Sequence, residues 1–322
     1  MSNPVMAEVT RGGIVESRHR GSVVVCDRMG LMDVFLGEIE TPVFPRSAIK
    51  AFQCLPVIES GAADRFGFID EEIALACSSH SGEAEHVRVA RSMLAKAGEN
   101  EDHYECGAHW PIELAAHNVA ARAADAPLQI HNNCSGKHAG MLALAKQLGA
   151  DHHDYVKLNH PVQRTIAAAI EDICSCKLDR APVGVDGCSV PTWAISLRSL
   201  ALGFARLTHK PTGQRIIAAV RAHPFMVAGT GRFDTDLMQA VPRVFAKTGA
   251  EGVYCACVPH AGLGIALKCD DGAGRAAEIA LAHILGSLDC WTIDEKAKLT
   301  TFTHRPLENW RKLTVGELHA VF

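Results

Sequence analysis

The sequence contains no apolar run approaching the ~18 residues that a membrane-spanning helix needs, which excludes helical spans. Its first residues, Met1-Ser2-Asn3-Pro4-Val5-Met6-Ala7-Glu8, lack the basic segment and apolar stretch of a secretory signal. Neither sign of charge dominates: 32 Lys and Arg stand against 36 Asp and Glu, a formal net charge of −4. Interspersed in this way, the charges leave no footprint for nucleic acid or for an anionic membrane. Internal repeats, low-complexity tracts and evident linkers are also missing. Residues 1–322 therefore read as a single catalytic unit rather than an array or a tethered pair.

Cysteine, by contrast, is abundant, with twelve in 322 residues. Without a secretion signal a disulfide framework is not expected, which leaves buried thiols, metal ligands or catalytic thiols. Cys26, Cys54, Cys77, Cys255, Cys257 and Cys269 lie in apolar or alternating runs and are expected to pack as small hydrophobes. The expected compartment is the cytoplasm. Hydrophobic content of 48% with charged content of 21% suits a globular chain long enough to bury a substantial core.

Short β-branched runs over 7–15, 21–26 and 31–36 predict strands, with a hairpin turn at Asp27-Arg28-Met29-Gly30. Pro45-Arg46-Ser47 opens a helix predicted to stop before Pro56. Helical patterns follow over 71–77, 83–97, 111–124, 137–148, 161–174, 192–207, 214–222 and 234–246. Strands return at 252–259 and 263–269, before a last helix over 273–287. Strands at both ends around a mainly helical middle, about 60–245, predict an α+β fold. One antiparallel sheet is built from both termini and flanked by helices, with a helical subdomain inserted.

Two short motifs carry chemistry. Ser47-Ala48-Ile49-Lys50 sets a hydroxyl and an amine one helical turn apart on one face. Lys247-Thr248-Gly249, late in the chain, is the companion of Ser-x-x-Lys in penicillin-recognising serine enzymes. A serine attacks only when a base removes its proton, and a lysine can do so only when neutral. A helix start would aim free N–H groups at the developing oxyanion, and the Ala250 N–H supplies a further donor. The alternative is an N-cap and a solvated lysine. The Ser-x-Asn that usually accompanies these motifs is missing; Ser79 in Cys77-Ser78-Ser79-His80-Ser81-Gly82 is the best substitute, with Ser81 a helix cap.

Two thiol-bearing turns offer a metal site. His131-Asn132-Asn133-Cys134-Ser135-Gly136-Lys137-His138 opens a helix, and Gly184-Val185-Asp186-Gly187-Cys188 is a glycine-flanked turn. Two thiolates and a nitrogen suit zinc, and on chemistry alone Cys134, Cys188 and His138 are the natural set, against two plain buried thiols. No His-Glu-x-x-His occurs, nor a His-x-Glu with Pro-Cys-x-x-Cys.

These segments resemble the bacterial L-asparaginase II family of thermolabile rhizobial type. The resemblance runs through Arg11-Gly12-Gly13-Ile14-Val15-Glu16, Arg46-Ser47-Ala48-Ile49-Lys50 and Ser78-Ser79-His80-Ser81. It continues in Asn133-Cys134-Ser135-Gly136-Lys137-His138, Asp186-Gly187-Cys188, His223-Pro224-Phe225-Met226-Val227-Ala228-Gly229 and Leu267-Lys268. It implies a serine β-lactamase, penicillin-binding-protein and glutaminase-like fold that hydrolyses L-asparagine to L-aspartate and ammonia. It further implies two Ser–Lys tandems, Ser47 with Lys50 and Ser79 with Lys247, a zinc ion on Cys134, Lys137 and Cys188, and a homodimer. Here Lys137 replaces His138 on the authority of the family. One departure is the full Lys-Thr-Gly, where the family pattern fixes only lysine and glycine. Within this reading Asp186 suits the substrate α-ammonium, Arg46 or His80 its α-carboxylate, and Asn133 the amide. The rivals are a glutaminase or broader ω-amidase, and a non-catalytic zinc-binding protein on a degenerate hydrolase fold.

Overall fold

The computed structural model describes residues 2–322. They divide into two compact units, each discontinuous in sequence. One takes residues up to Ala48 with Ile195–Ala205 and Leu237–Phe322; the other takes Ile49–Ala194 with Arg206–Asp236.

The first unit is built on strands β1 (Val5–Arg11), β2 (Ile14–Cys26) and β3 (Met32–Leu36). A ribbon of β4 (Val183–Val185) and β5 (Pro191–Trp193) belongs to the second unit. The sheet is completed by β6 (Phe245–Gly249), β7 (Val253–Val258), β8 (Leu263–Cys269), β9 (His304–Glu308) and β10 (Thr314–Ala320). Its order is β6-β7-β8-β2-β1-β10-β9, with β3 paired to β2, and every pairing is antiparallel. Chain start and chain end thus share one sheet, as the sequence pattern predicts. β7 is buried along its whole length, which suits a central strand covered by the Gly274–Ser287 helix.

The second unit is helical around Ser135–Gln147, which is buried from Ser135 to Ala145 on every side. A helix without a polar face must be surrounded, and Lys50–Glu59, Asp70–Ala76, Ala84–Ala97 and Pro161–Cys174 enclose it. Gly136 makes the closest approach possible: a Cβ there would lie 2.5 Å from the Leu75 carbonyl oxygen. Gly136→Ala should therefore cost about 1–3 kcal/mol, read as a lower Tm with the fold retained. An unchanged Tm would mean that the two backbones are not held together.

Several predicted boundaries need correction. The first helix runs through Pro56 to Glu59, because its flanking Leu55, Val57 and Ile58 are buried and offset the lost hydrogen bond. Residues 192–207 hold a strand end and then the Leu197–Leu207 helix; 234–246 split into Phe233–Ala240 and β6. Ser81 caps no helix: its hydroxyl donates to the Ala228 carbonyl at 2.9 Å, and Glu83 is the cap residue. The six cysteines expected in the core are buried, and no disulfide occurs among the described residues.

Candidate active site

In the helical unit the centre is Lys50. It opens its helix directly after a 3₁₀ turn, Arg46–Ile49, that Arg46 enters with a left-handed φ of 51°. Such a backbone is strained for a residue with a Cβ. The Lys50 side chain is fully buried, which rules out a solvated lysine. Its Nζ donates to the Ser78 carbonyl, to Ser79 Oγ at 3.0 Å and to Cys134 Sγ at 3.0 Å, with the Asn133 carbonyl at 3.5 Å. Three near partners thus surround one nitrogen, and the Ser79 hydroxyl is one of them.

The Ser78-Ser79-His80 segment is held by its backbone. The Ser79 N–H donates to the Val227 carbonyl at 2.9 Å and the His80 N–H to the Asn133 carbonyl at 3.2 Å. Those bonds leave the Ser79 side chain to meet Lys50. The sequence motif pairs Lys50 with Ser47; the fold brings it the Ser79 hydroxyl. His80 is fully buried, and its Nδ1 accepts the Gly82 N–H at 3.1 Å while Nε2 meets Ser135 Oγ at 3.0 Å. Burial, then His86 and Lys50, lower its pKa well below the usual imidazole range. With both nitrogens engaged and the ring neutral, His80 positions the start of the Ser135–Gln147 helix and offers no charge to a carboxylate.

Cys134 precedes that helix, and its N–H donates to Asn132 Oδ1 at 2.8 Å. Cys188 sits in the β4–β5 turn, closed by the Ser189 N–H on the Asp186 carbonyl and the Asp186 N–H on the Val190 carbonyl, both at 2.9 Å. Asp186 itself is half-buried, and its Oδ1 accepts the Gly187 N–H at 2.7 Å. Lys137 Nζ donates to Cys188 Sγ at 2.9 Å, and all three ligand candidates are buried. A hydrogen bond from Cys134, then the charge of Lys137, outweigh burial and hold the Cys188 thiol well below its usual range. Giving that bond, together with burial, pushes Cys134 up to about 12. For Lys137 burial acts downward, but Cys188, Cys134 and Asp186 overcome it and raise its pKa. Hydrogen bonding and charge thus favour the proton on Cys134 and Lys137 over Cys188.

Two thiols and an amine in one buried cluster fit a zinc ion by the chemistry of their donors. His138 Nδ1 meets the Tyr155 hydroxyl at 2.6 Å, and its buried Nε2 bonds to neither thiol. A residue absent from the sequence reading is Cys106, buried and close enough to Cys134 and Cys188 that their charges help raise its pKa. The only signal for it was a thiol beside a glycine, Cys106-Gly107.

In the sheet unit, Lys247 is fully buried in β6 and its Nζ donates to the Thr248 carbonyl at 2.9 Å. A Cβ on Gly249 would lie 2.3 Å from the Pro45 carbonyl oxygen and 2.9 Å from the Ala48 nitrogen. The end of β6 therefore abuts the turn that carries the half-buried Ser47, with Ala250 exposed just beyond. The glycine of Lys-Thr-Gly is explained by this approach.

The chain belongs to the L-asparaginase II family, whose pattern matches residues 7–320. No match is found among curated proteins. Among solved structures, "Mglu in its native form" is similar at 15% identity and a TM-score of 0.37, over 84% of this chain and 64% of that one. The chain thus spans less than two thirds of that protein. A putative β-lactamase from Bacteroides dorei is similar at 11% identity and a TM-score of 0.42, over 83% of this chain and 93% of that one. A β-lactamase from Mycobacterium bovis follows at 10% identity and 0.36, over 88% and 95%. Among the described residues no helix is long and apolar enough to cross a membrane.

Proposed function

We propose that the chain is an L-asparaginase, hydrolysing L-asparagine to L-aspartate and ammonia by serine acyl transfer. The observation that carries this reading is the 3.0 Å hydrogen bond between buried Lys50 Nζ and Ser79 Oγ. Ser79 Oγ attacks the side-chain amide carbon while the neutral amine of Lys50 takes its proton. Lys50 then protonates the departing ammonia, and water hydrolyses the aspartyl ester with the same residue as base. Asp186 binds the substrate α-ammonium and Asn133 orients the amide. Because the His80 nitrogens are occupied, the α-carboxylate falls to Arg46. Ser47 and Lys247 support this pair as the remaining members of the two Ser–Lys tandems that the family implies, and the Ala250 N–H serves as an oxyanion donor.

Zinc would be held by Cys134, Lys137 and Cys188, and when bound it supplies Lewis-acid polarisation. To serve as a ligand Lys137 must lose its proton, and Cys134 likewise, so affinity should fall as pH drops. The homodimer and the cytoplasmic setting belong to the same proposal.

Ammonia release from L-asparagine, L-glutamine and a β-lactam, measured side by side, tests it. L-asparagine should be the best substrate. The margin over L-glutamine should be modest, because one methylene is worth only about 1–3 kcal/mol of discrimination. Faster release from L-glutamine would make the chain a glutaminase or ω-amidase on the same apparatus. No release from either amide by metal-loaded protein would leave a non-catalytic zinc-binding protein.

A further inference from the structure

A second group of metal-ligating side chains lies in the helical unit, apart from the cysteines. Glu99 follows the Gly98 cap of the Ala84–Ala97 helix, and His103 closes the 3₁₀ turn Glu101–His103. His152 lies in the turn that follows the Ser135–Gln147 helix. One ligand atom from each, a carboxylate oxygen and two imidazole nitrogens, fall within 4.8 Å of one another.

The Glu99 side chain is only 5% exposed, and a carboxylate that deep is costly without positive company. Its Oε2 meets His103 Nδ1 at 2.5 Å and its Oε1 accepts from Lys146 Nζ at 3.3 Å. The His103 and His152 rings stack at 4.0 Å, and His103 Nε2 faces the Asn100 amide at 3.3 Å. A cation shared by the carboxylate and both rings would serve Glu99 better than one hydrogen bond and a long lysine contact. Two imidazoles and a carboxylate are donors that late first-row divalent ions prefer over magnesium or calcium.

We propose that Glu99, His103 and His152 bind a divalent transition-metal ion of the zinc or nickel class, tying the end of the Ala84–Ala97 helix to the turn after Ser135–Gln147. This site does not rest on the asparaginase reading. At ~1.5 Å per residue the Ser135–Gln147 helix separates it from Cys134 by roughly 20 Å, so one ion cannot serve both clusters. Asp151, His152 and His153 form an overlapping group, but Asp151 and His153 are 70% and 76% exposed and already bonded to each other at 2.9 Å. Binding there would have to order two side chains from water, so the partly buried set is the one assigned.

Calorimetric titration of the full chain with Zn²⁺ or Ni²⁺, paired with thermal unfolding, tests the assignment. A Cys134→Ser chain should still take up one ion and gain several degrees in Tm. Adding His152→Ala should abolish both effects, as should Glu99→Gln, while His153→Ala should leave them in place. In the otherwise unmutated chain, His152→Ala should lower the saturating metal content by one ion, whatever the cysteines hold. Circular dichroism establishes that each variant is folded. Unchanged metal content in folded His152→Ala and Glu99→Gln chains overturns the site, as does loss of all binding in folded Cys134→Ser.

Discussion

Ser79→Ala and Lys50→Met should each lower turnover of L-asparagine by at least ~10³, the scale that a nucleophile or its base supplies. The double variant should be little worse than either single one, because the two groups act as one unit. Far-ultraviolet circular dichroism should show the fold retained in Ser79→Ala, since the serine backbone, not its hydroxyl, holds the segment to Val227 and so preserves its course. Lys50→Met takes a fully buried amine away from its three near partners, so a lower Tm is expected as well. If the two losses multiply, the 3.0 Å contact is structural and some other base serves the nucleophile.

The second large effect concerns the metal. About one zinc ion per chain should be held by the cysteine cluster, and Cys134→Ser or Cys188→Ser should abolish it. Loss of the ion should raise KM more than it lowers kcat, because its proposed task is to orient the substrate and not to generate the nucleophile; Cys188→Ser is the variant to read, since Cys134 Sγ also meets Lys50 Nζ at 3.0 Å. Elemental analysis of Lys137→Ala and His138→Ala separates the two nitrogens. The lysine lies 2.9 Å from Cys188 Sγ, whereas the buried His138 Nε2 bonds to neither thiol. Zinc at this cluster should therefore be lost in the first variant and kept in the second. Because a second metal site is proposed at Glu99, His103 and His152, these measurements belong in a His152→Ala background. The opposite pattern would restore His138 as the ligand.

Much of the fold is readable in the sequence where punctuation is local. Pro161 at the first helical position fixes the start of Pro161–Cys174, and the apolar run of β8 fixes both of its ends. Reading fails where partners are distant. Pro191–Trp193 becomes a strand only because Val183–Val185 lies beside it, and nothing within 192–207 announces that. β9 is mostly exposed along its length, so it carries no alternation to detect. Pro242, by contrast, was a usable sign that the 233–240 helix had to stop before β6.

The site divides along the same line. Ser47, Lys50, Cys134, Lys137, Cys188 and Lys247 stand in short patterns whose residue types suggest their chemistry. The Lys50–Ser79 contact could not be read, because it exists only once the Lys50–Glu59 and Asp70–Ala76 helices pack around Ser135–Gln147. The same holds for Cys106, whose relation to Cys134 and Cys188 is set by folding alone. His80 shows the reverse case: a histidine beside a serine suggests an anion binder in the sequence, whereas in the fold both of its nitrogens meet other groups.

The account turns on which atom carries the acyl group. Rapid acid quench of the protein during turnover of L-asparagine, followed by peptide mapping, locates the ester. An aspartyl group on the peptide containing Ser79, absent from Ser79→Ala, is the predicted result. An ester on the Ser47 peptide alone, or undiminished turnover in Ser79→Ala, would contradict it.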